Sequence, residues 1–185
     1  MSVIAISFVT LDGTATDPDG SAGTPYGGWM FRYGRAAIDG DKFQLGPIMA
    51  AGGVLLFGRG TWQHFAKLWP AREGVFADHM NATPKLVASR AAFDTAAWQN
   101  STVVEGDLID AVKNEQRDVI VMGSLSLVRQ LAAADLVDEY RLMTFPTIVA
   151  AGDPFFAAVP PAEFDCVSAE LTGPLVLTRY RRGAR

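Results

Sequence analysis

The sequence predicts an α/β domain: a mostly parallel central sheet between two layers of helices, with a C-terminal antiparallel hairpin. Three observations predict it. Short runs of apolar, β-branched residues recur along the chain, and most are apolar throughout, as strands covered on both faces are. Segments of helical pattern separate most of these runs. The last two runs flank Gly173-Pro174, a turn signal that pairs them as a hairpin.

The elements follow in order. Val3 to Thr10 reads as a buried strand. Asp12 to Gly28 is rich in Gly, Pro, Asp and Ser or Thr, and reads as a loop. It is long for a compact domain, which marks it as functional or mobile. The aromatic cluster Trp29 to Tyr33 follows. Asp41-Lys42-Phe43-Gln44 looks like a capping box that opens a helix ending near Gly52-Gly53. Val54 to Phe57 is a second buried strand, Gly58-Arg59-Gly60 a tight turn, and Thr61 to Leu68 a short helix. Lys85 to Ala88 and Thr102 to Glu105 are the third and fourth strands. Asp107 to Asn114 reads as a helix and Val119 to Met122 as the fifth strand. Gly123-Ser124 opens a helix to Ala134, and Glu139 to Val149 is a long strand. Phe164 to Leu171 and Leu175 to Arg181 form the hairpin.

Composition narrows the function classes. The 185 residues are 49% apolar and 19% charged, which excludes a disordered chain. Lys plus Arg number 16 against 20 acidic residues, a net charge of −4, so a basic field for nucleic acid is absent. One Cys and two His argue against a disulfide, a thiolate metal site or a His-rich metal site. The first residues lack the basic region of a signal peptide, and the longest apolar stretch, Ile48 to Phe57, contains two Gly. A cytoplasmic protein outside the membrane is expected. No repeat or internal linker is visible, so residues 1–185 read as one domain.

In such a sheet, ligands bind beyond the carboxyl ends of the strands. The residues after Thr10, Phe57, Ala88, Met122 and Met143 are therefore the candidate site. Gly58 and Gly60 allow close backbone approach, Arg59 offers a forked donor suited to phosphate, and Thr61 offers a hydroxyl or a plain helix cap. Ser89-Arg90 repeats the pairing of hydroxyl and guanidinium. Gly123, with the Ser124 and Leu125 amides, could cradle a pyrophosphate, although neither a G-x-G-x-x-G fingerprint nor a P-loop is present. Three such ends in one sheet suggest a phosphate-rich ligand.

Six stretches carry a family resemblance, in order along nearly the whole chain: Thr10-Leu11-Asp12-Gly13, Leu56 to Trp62, Lys85 to Arg90, Val121 to Ser124, Asp135 to Glu139, and Gly152-Asp153-Pro154-Phe155-Phe156. Together they resemble the dihydrofolate reductase-like fold. They are most similar to the C-terminal reductase domain of bacterial riboflavin-biosynthesis deaminase-reductases, in its stand-alone form. The resemblance implies an NADPH-dependent reductase without metal or flavin, acting as a homodimer on a small molecule. It implies that Gly58, Arg59, Thr61, Ser89 and Arg90 hold the adenosine phosphate region. It assigns Gly123, Ser124 and Leu125 to the pyrophosphate and ribose.

Departures qualify the substrate. The zinc signature of the deaminase half is absent, so deamination by that route is excluded. The family's first strand carries a basic residue for its phosphorylated sugar, whereas Val3 to Thr10 has no charge. The Thr14 to Gly28 insertion is also longer than in biosynthetic members. Asp41 and Thr144 fall near the carboxylate and hydroxyl that folate reduction uses, which leaves a dihydrofolate reductase-type activity as an alternative. A nucleotide-binding protein without turnover is the other alternative.

Hydride transfer needs a proton or donor for the developing negative charge, and Asp12, Asp41 and Thr144 are the candidates. Trp29 or Tyr33 would provide a flat wall for the substrate. Each has a structural reading beside the functional one: Asp12 as a turn residue, Asp41 as a helix cap, and the aromatics as core or dimer interface. His64 and His79 read as surface or interface residues, and Cys166 as a buried small apolar residue. Asp138 and Glu139 are expected to pin the start of a strand. Arg179, Arg181, Arg182 and Arg185 read as a solvated basic tail.

Overall fold

A computed structural model describes residues 1–183. Eight strands form one sheet in the order β4-β3-β2-β5-β1-β6-β8-β7. In chain order they are β1 (Val3–Thr10), β2 (Val54–Gly58), β3 (Lys85–Ala88), β4 (Ser101–Val103), β5 (Val119–Gly123), β6 (Glu139–Phe145), β7 (Asp165–Thr172) and β8 (Leu175–Arg181). The first six strands of the order are parallel, and β8 and β7 complete the sheet as an antiparallel hairpin. The helices are α1 (Gly46–Ala50), α2 (Arg59–Phe65), α3 (Val75–Ala82), α4 (Leu108–Asn114) and α5 (Leu125–Ala133). Two short 3-10 helices, Trp29–Tyr33 and Arg35–Ala37, precede them.

The unbroken apolar runs exist because both faces of the sheet are covered. On the first face Ile4, Ile6, Phe57, Ile120, Met143 and Phe145 pack with Trp29, Met49, Trp62 and Met80. On the second face Val3, Ala5, Val9, Leu56, Val121 and Leu142 pack with Val112, Leu127, Val128 and Leu131 of α4 and α5. This is the three-layer dihydrofolate reductase-like architecture that the sequence predicts.

Several elements differ from expectation. The helix expected from Asp41 to Gly53 shrinks to α1. Asp41 is not its N-cap, which is Leu45, but from four residues earlier it accepts the Leu45 and Gly46 amides at 2.6 and 2.7 Å. Gln44 does not close a box: it has φ 55 and its side chain bonds Glu170. The Gly58 turn is tighter than expected, because α2 begins at Arg59 and ends at Phe65. Helix α3 lacks a side-chain cap, follows Gly74 at φ 109, and buries only Ala77 and Met80, so its sequence carries little helical signal. Strand β4 begins one residue early and stops at Val103. Strand β6 stops at Phe145, where Pro146 follows and cannot donate to a ladder.

Two side-chain expectations are overturned. Cys166 is exposed, because β7 is an edge strand paired only with β8 and turns most of its side chains to solvent. Arg179 and Arg181 are not a solvated tail: they bond the buried Glu139 carboxylate, at 3.1 and 2.8 Å. Arg182 pairs with Asp135 at 2.7 Å, and Arg185 lies outside the described residues. Asp138 accepts the Val3 amide at 2.8 Å, so Asp138 and Glu139 do pin the start of β6.

Candidate active site

Strands β3, β2 and β5 are neighbours, and their carboxyl ends bring the predicted binding residues together. Gly58 pairs with Ala88 of β3, and Phe57 with Gly123 of β5. Gly58 has an ordinary extended backbone, so its dihedrals do not require glycine. Packing does: a Cβ there would meet Ser124 Oγ at 2.9 Å and its amide at 3.2 Å. Gly123 has φ 113, and a Cβ on it would lie 3.5 Å from Thr61 Oγ1. The Gly123–Ser124 peptide is cis. Gly58, Thr61, Gly123 and Ser124 thus form one contiguous surface. Gly60 has open space around it and no such requirement.

A cationic rim borders this surface. The Arg59 guanidinium stacks 4.9 Å from the centre of the Phe93 ring, which itself packs edge-on against Trp62 at 5.2 Å. Ser89 Oγ donates to Ala91 O at 2.6 Å and so turns the chain after β3, leaving Arg90 exposed. Among the described residues neither Arg59 nor Arg90 has a carboxylate within ion-pair distance. Helix α5 starts at Leu125 with Ser124 as its N-cap, and no side chain caps its first amides. Ser124 Oγ instead meets Ser126 Oγ at 2.8 Å.

On the first face, beside this rim, Phe8 of β1 and Met122 of β5 are half-buried. Phe8 packs on Phe43 at 5.1 Å and on Phe145 at 5.5 Å. Trp29 is 0% exposed, with its ring 5.1 Å from Phe145 and its indole N–H donating to Thr16 O. The expected substrate wall is therefore a core residue, because the loop before it folds down and encloses the indole. Tyr33 is half-buried, and its hydroxyl lies 2.8 Å from Pro146 O and 2.6 Å from Thr147 Oγ1.

The three expected proton donors do not converge. Asp12 accepts from Thr10 Oγ1 at 2.5 Å and from the Ala150 amide at 2.8 Å. The Thr10 hydroxyl chiefly holds its carboxyl below the usual range, and these contacts tie the turn after β1 to the loop after β6. Both oxygens of Asp41 are taken by backbone amides. Thr144 pairs with Val9 and alternates with Met143 and Phe145, which places it on the second face, away from Asp41.

The glycine-rich segment is an ordered structure. The Asp17 carboxylate accepts from the Ala22 amide, the Thr24 amide and the Thr24 hydroxyl. A Cβ on Gly27 would overlap that carboxylate. Beyond this knot, Asp19 Oδ2 reaches His64 Nε2 of α2 at 2.8 Å. Sequence reasoning did not find this pair, since nothing in the spacing of residues 19 and 64 announces it. A separate groove of about 960 Å³ lies between α1 and α3, lined by Arg35, Asp41, Trp69 and Arg72 among others. It touches none of the strand-end glycines.

A doubly covered parallel sheet with a glycine and arginine rim at its strand ends defines a dihydrofolate reductase-like domain. The chain belongs to the RibD C-terminal domain family, whose sequence model matches residues 1–178. Membership in that family indicates a reductase of the riboflavin-biosynthesis type. Solved structures share the fold. A protein from Shewanella sp. PV-4 assigned to riboflavin biosynthesis is 19% identical with a TM-score of 0.77, each chain covered in full. A pyrimidine reductase-like protein from Corynebacterium diphtheriae is 13% identical with a TM-score of 0.65, over 100% of this chain and 92% of that one. A Thermotoga maritima diaminohydroxyphosphoribosylaminopyrimidine deaminase/5-amino-6-(5-phosphoribosylamino)uracil reductase is 17% identical with a TM-score of 0.61. The match covers 98% of this chain but only 56% of that longer one. No curated protein matches.

Proposed function

We propose that this chain is an NADPH-dependent reductase that transfers hydride to a small heterocyclic or sugar-linked substrate. The reaction would resemble that of the 5-amino-6-(5-phosphoribosylamino)uracil reductase to which it is similar in fold. One observation carries the reading: Arg59 and Arg90 leave adjacent strand ends beside the Gly123–Ser124 surface, and among the described residues neither has an acidic partner. Two unpaired guanidinia beside open helix amides suit the phosphates of a dinucleotide.

The residues fit that group. Arg59, Thr61, Ser89 and Arg90 would hold its adenosine phosphate end, and Gly123, Ser124 and Leu125 its pyrophosphate. When bound, reduced nicotinamide supplies a hydride. The chain's task is to hold the acceptor carbon close to it and to exclude water. Phe8 and Met122 offer an apolar floor for a flat ring, with Phe43 packed behind Phe8. The uncharged β1 favours a substrate recognised through its heterocycle over one recognised through a sugar phosphate. Folate-type chemistry through Asp41 and Thr144 loses support, since they lie on different faces. The exposed Val167 and Leu171 of edge strand β7, 46% and 81% exposed, support a homodimer that covers this edge.

The test is a titration with NADPH, NADP+ and NADH followed by the fluorescence of the four Trp. NADPH should bind and NADH should bind far more weakly. Absence of binding by every dinucleotide would overturn the reading.

A further inference from the structure

None of the three acids and hydroxyls expected from sequence is placed to give a proton at the site described above. Asp12 is tied to Thr10 and Ala150, both Asp41 oxygens take backbone amides, and Thr144 faces the other side of the sheet. Reduction of a C=N or C=O bond needs a proton as well as a hydride, so another group must supply it.

His64 and Asp19 have the required arrangement. His64 lies one helical turn after Thr61, on the same side of α2, and Thr61 borders Gly123. Asp19 belongs to the segment that follows β1. In the sheet β5 lies between β2, which feeds α2, and β1. The pair therefore ties α2, which follows β2, to the segment after β1, and these two strands flank β5. Its geometry is that of an oriented imidazole. Asp19 Oδ1 accepts from the Ser21 amide at 3.1 Å and the Ser21 hydroxyl at 2.8 Å. Asp19 Oδ2 lies 2.8 Å from His64 Nε2, at ion-pair distance. The Asp17 knot and the Trp29 anchor hold the segment in place. Both side chains are half-buried, at 33% and 20% exposure. Among the described residues, His64 Nδ1 has no hydrogen-bond partner. A carboxylate beside one ring nitrogen leaves the other available for proton transfer.

Building on the reductase reading, we propose that His64 is the proton donor of this site and that Asp19 is its positioning residue. The acceptor carbon takes the hydride and forms a C–H bond. The π bond breaks toward the heteroatom, which takes the proton from Nδ1 of the imidazolium. Solvent returns the proton to His64, and the hydride would come from the reduced nicotinamide held at the site, which would be oxidised by the same two electrons.

The chain has only two His, so both imidazoles can be followed by NMR. NADP+ should shift the ring signals of His64 and leave those of His79, on α3, in place. With 5-amino-6-(5-phosphoribosylamino)uracil as probe substrate, His64→Gln should bind NADPH within about twofold of wild type while kcat falls about a hundredfold. Added imidazole should restore part of the rate in His64→Ala. Asp19→Asn should lower kcat about tenfold with KM unchanged, and it remains informative if the His64 variants fail to fold. Unmoved His64 signals in a protein that binds NADP+ would overturn the proposal and leave the reductase reading intact. Undiminished turnover in His64→Gln would do the same. Failure of the wild type to bind any dinucleotide would overturn both.

Discussion

The Arg59 guanidinium lies 4.9 Å above the Phe93 ring, held at the rim of the strand ends by a face it can stack on. Stacking orders the side chain while its N–H groups stay available to an anion. Arg59→Ala should therefore weaken NADPH binding by about ten- to a hundredfold. NADH, which lacks the extra phosphate, should change by no more than about twofold. Fluorescence titration of both cofactors checks this. Phe93→Ala should give a smaller loss of the same kind.

Glu139 is 4% exposed and bonds three arginines, Arg141 at 2.7 Å, Arg181 at 2.8 Å and Arg179 at 3.1 Å. Burial pushes its pKa up, but the hydrogen bonds from Arg181, Arg141 and Arg179 outweigh it and hold the carboxyl below its ordinary 4.5. Burial also pulls the Arg141 guanidinium down, yet arginine keeps its charge. Glu139→Gln should destabilise the fold by about 3–5 kcal/mol, because Arg141 is left buried without its partner. The Glu139 contribution is complete above pH 4.5 and is lost as pH falls through the lower folded value. Urea unfolding at pH 7 and pH 3 should show the gap between wild type and variant narrowing in acid.

Lys85 is 1% exposed, and its ammonium donates to the carbonyls of Asn81, Thr83 and Gln99. Burial lowers its pKa from 10.5 to about 8. Between those values the unfolded chain holds the proton and the folded chain does not, so stability should rise with pH across that window. The gain is on the order of 3 kcal/mol. Thermal unfolding from pH 7.5 to 10.5 measures it, and Lys85→Met should flatten the rise.

Asp12 joins the end of β1 to the loop after β6 through the Ala150 amide at 2.8 Å. Its carboxyl titrates below 3.8, chiefly through the Thr10 hydroxyl, so this tie is present above that pH and released below the folded value. Asp12→Asn should speed hydrogen exchange at Ala150 by about tenfold, with little change in global stability. A hundredfold loss of kcat with unchanged exchange at Ala150 would instead assign Asp12 to the chemistry.

The sequence by itself determined the sheet. Runs such as Val54 to Phe57 and Val119 to Met122 are apolar without alternation, and only a doubly covered parallel strand satisfies that pattern. The juxtaposition of Gly58, Arg59, Gly123 and Ser124 was legible too, because they sit where apolar runs end, and local sequence fixes strand ends. Tertiary structure alone decided the rest. Trp29 reads equally as wall or core until the loop is seen to fold over it. Cys166 alternates like a buried residue, but edge position set its exposure. Asp12 and Asp41 look like acids in sequence, and only distant amides show them to be anchors. The His64–Asp19 pair spans 45 positions and joins two segments that have no local reason to meet. Strand formation follows from neighbouring residues, whereas a pair such as His64 and Asp19 depends on two segments that follow β2 and β1, strands separated in the sheet by β5.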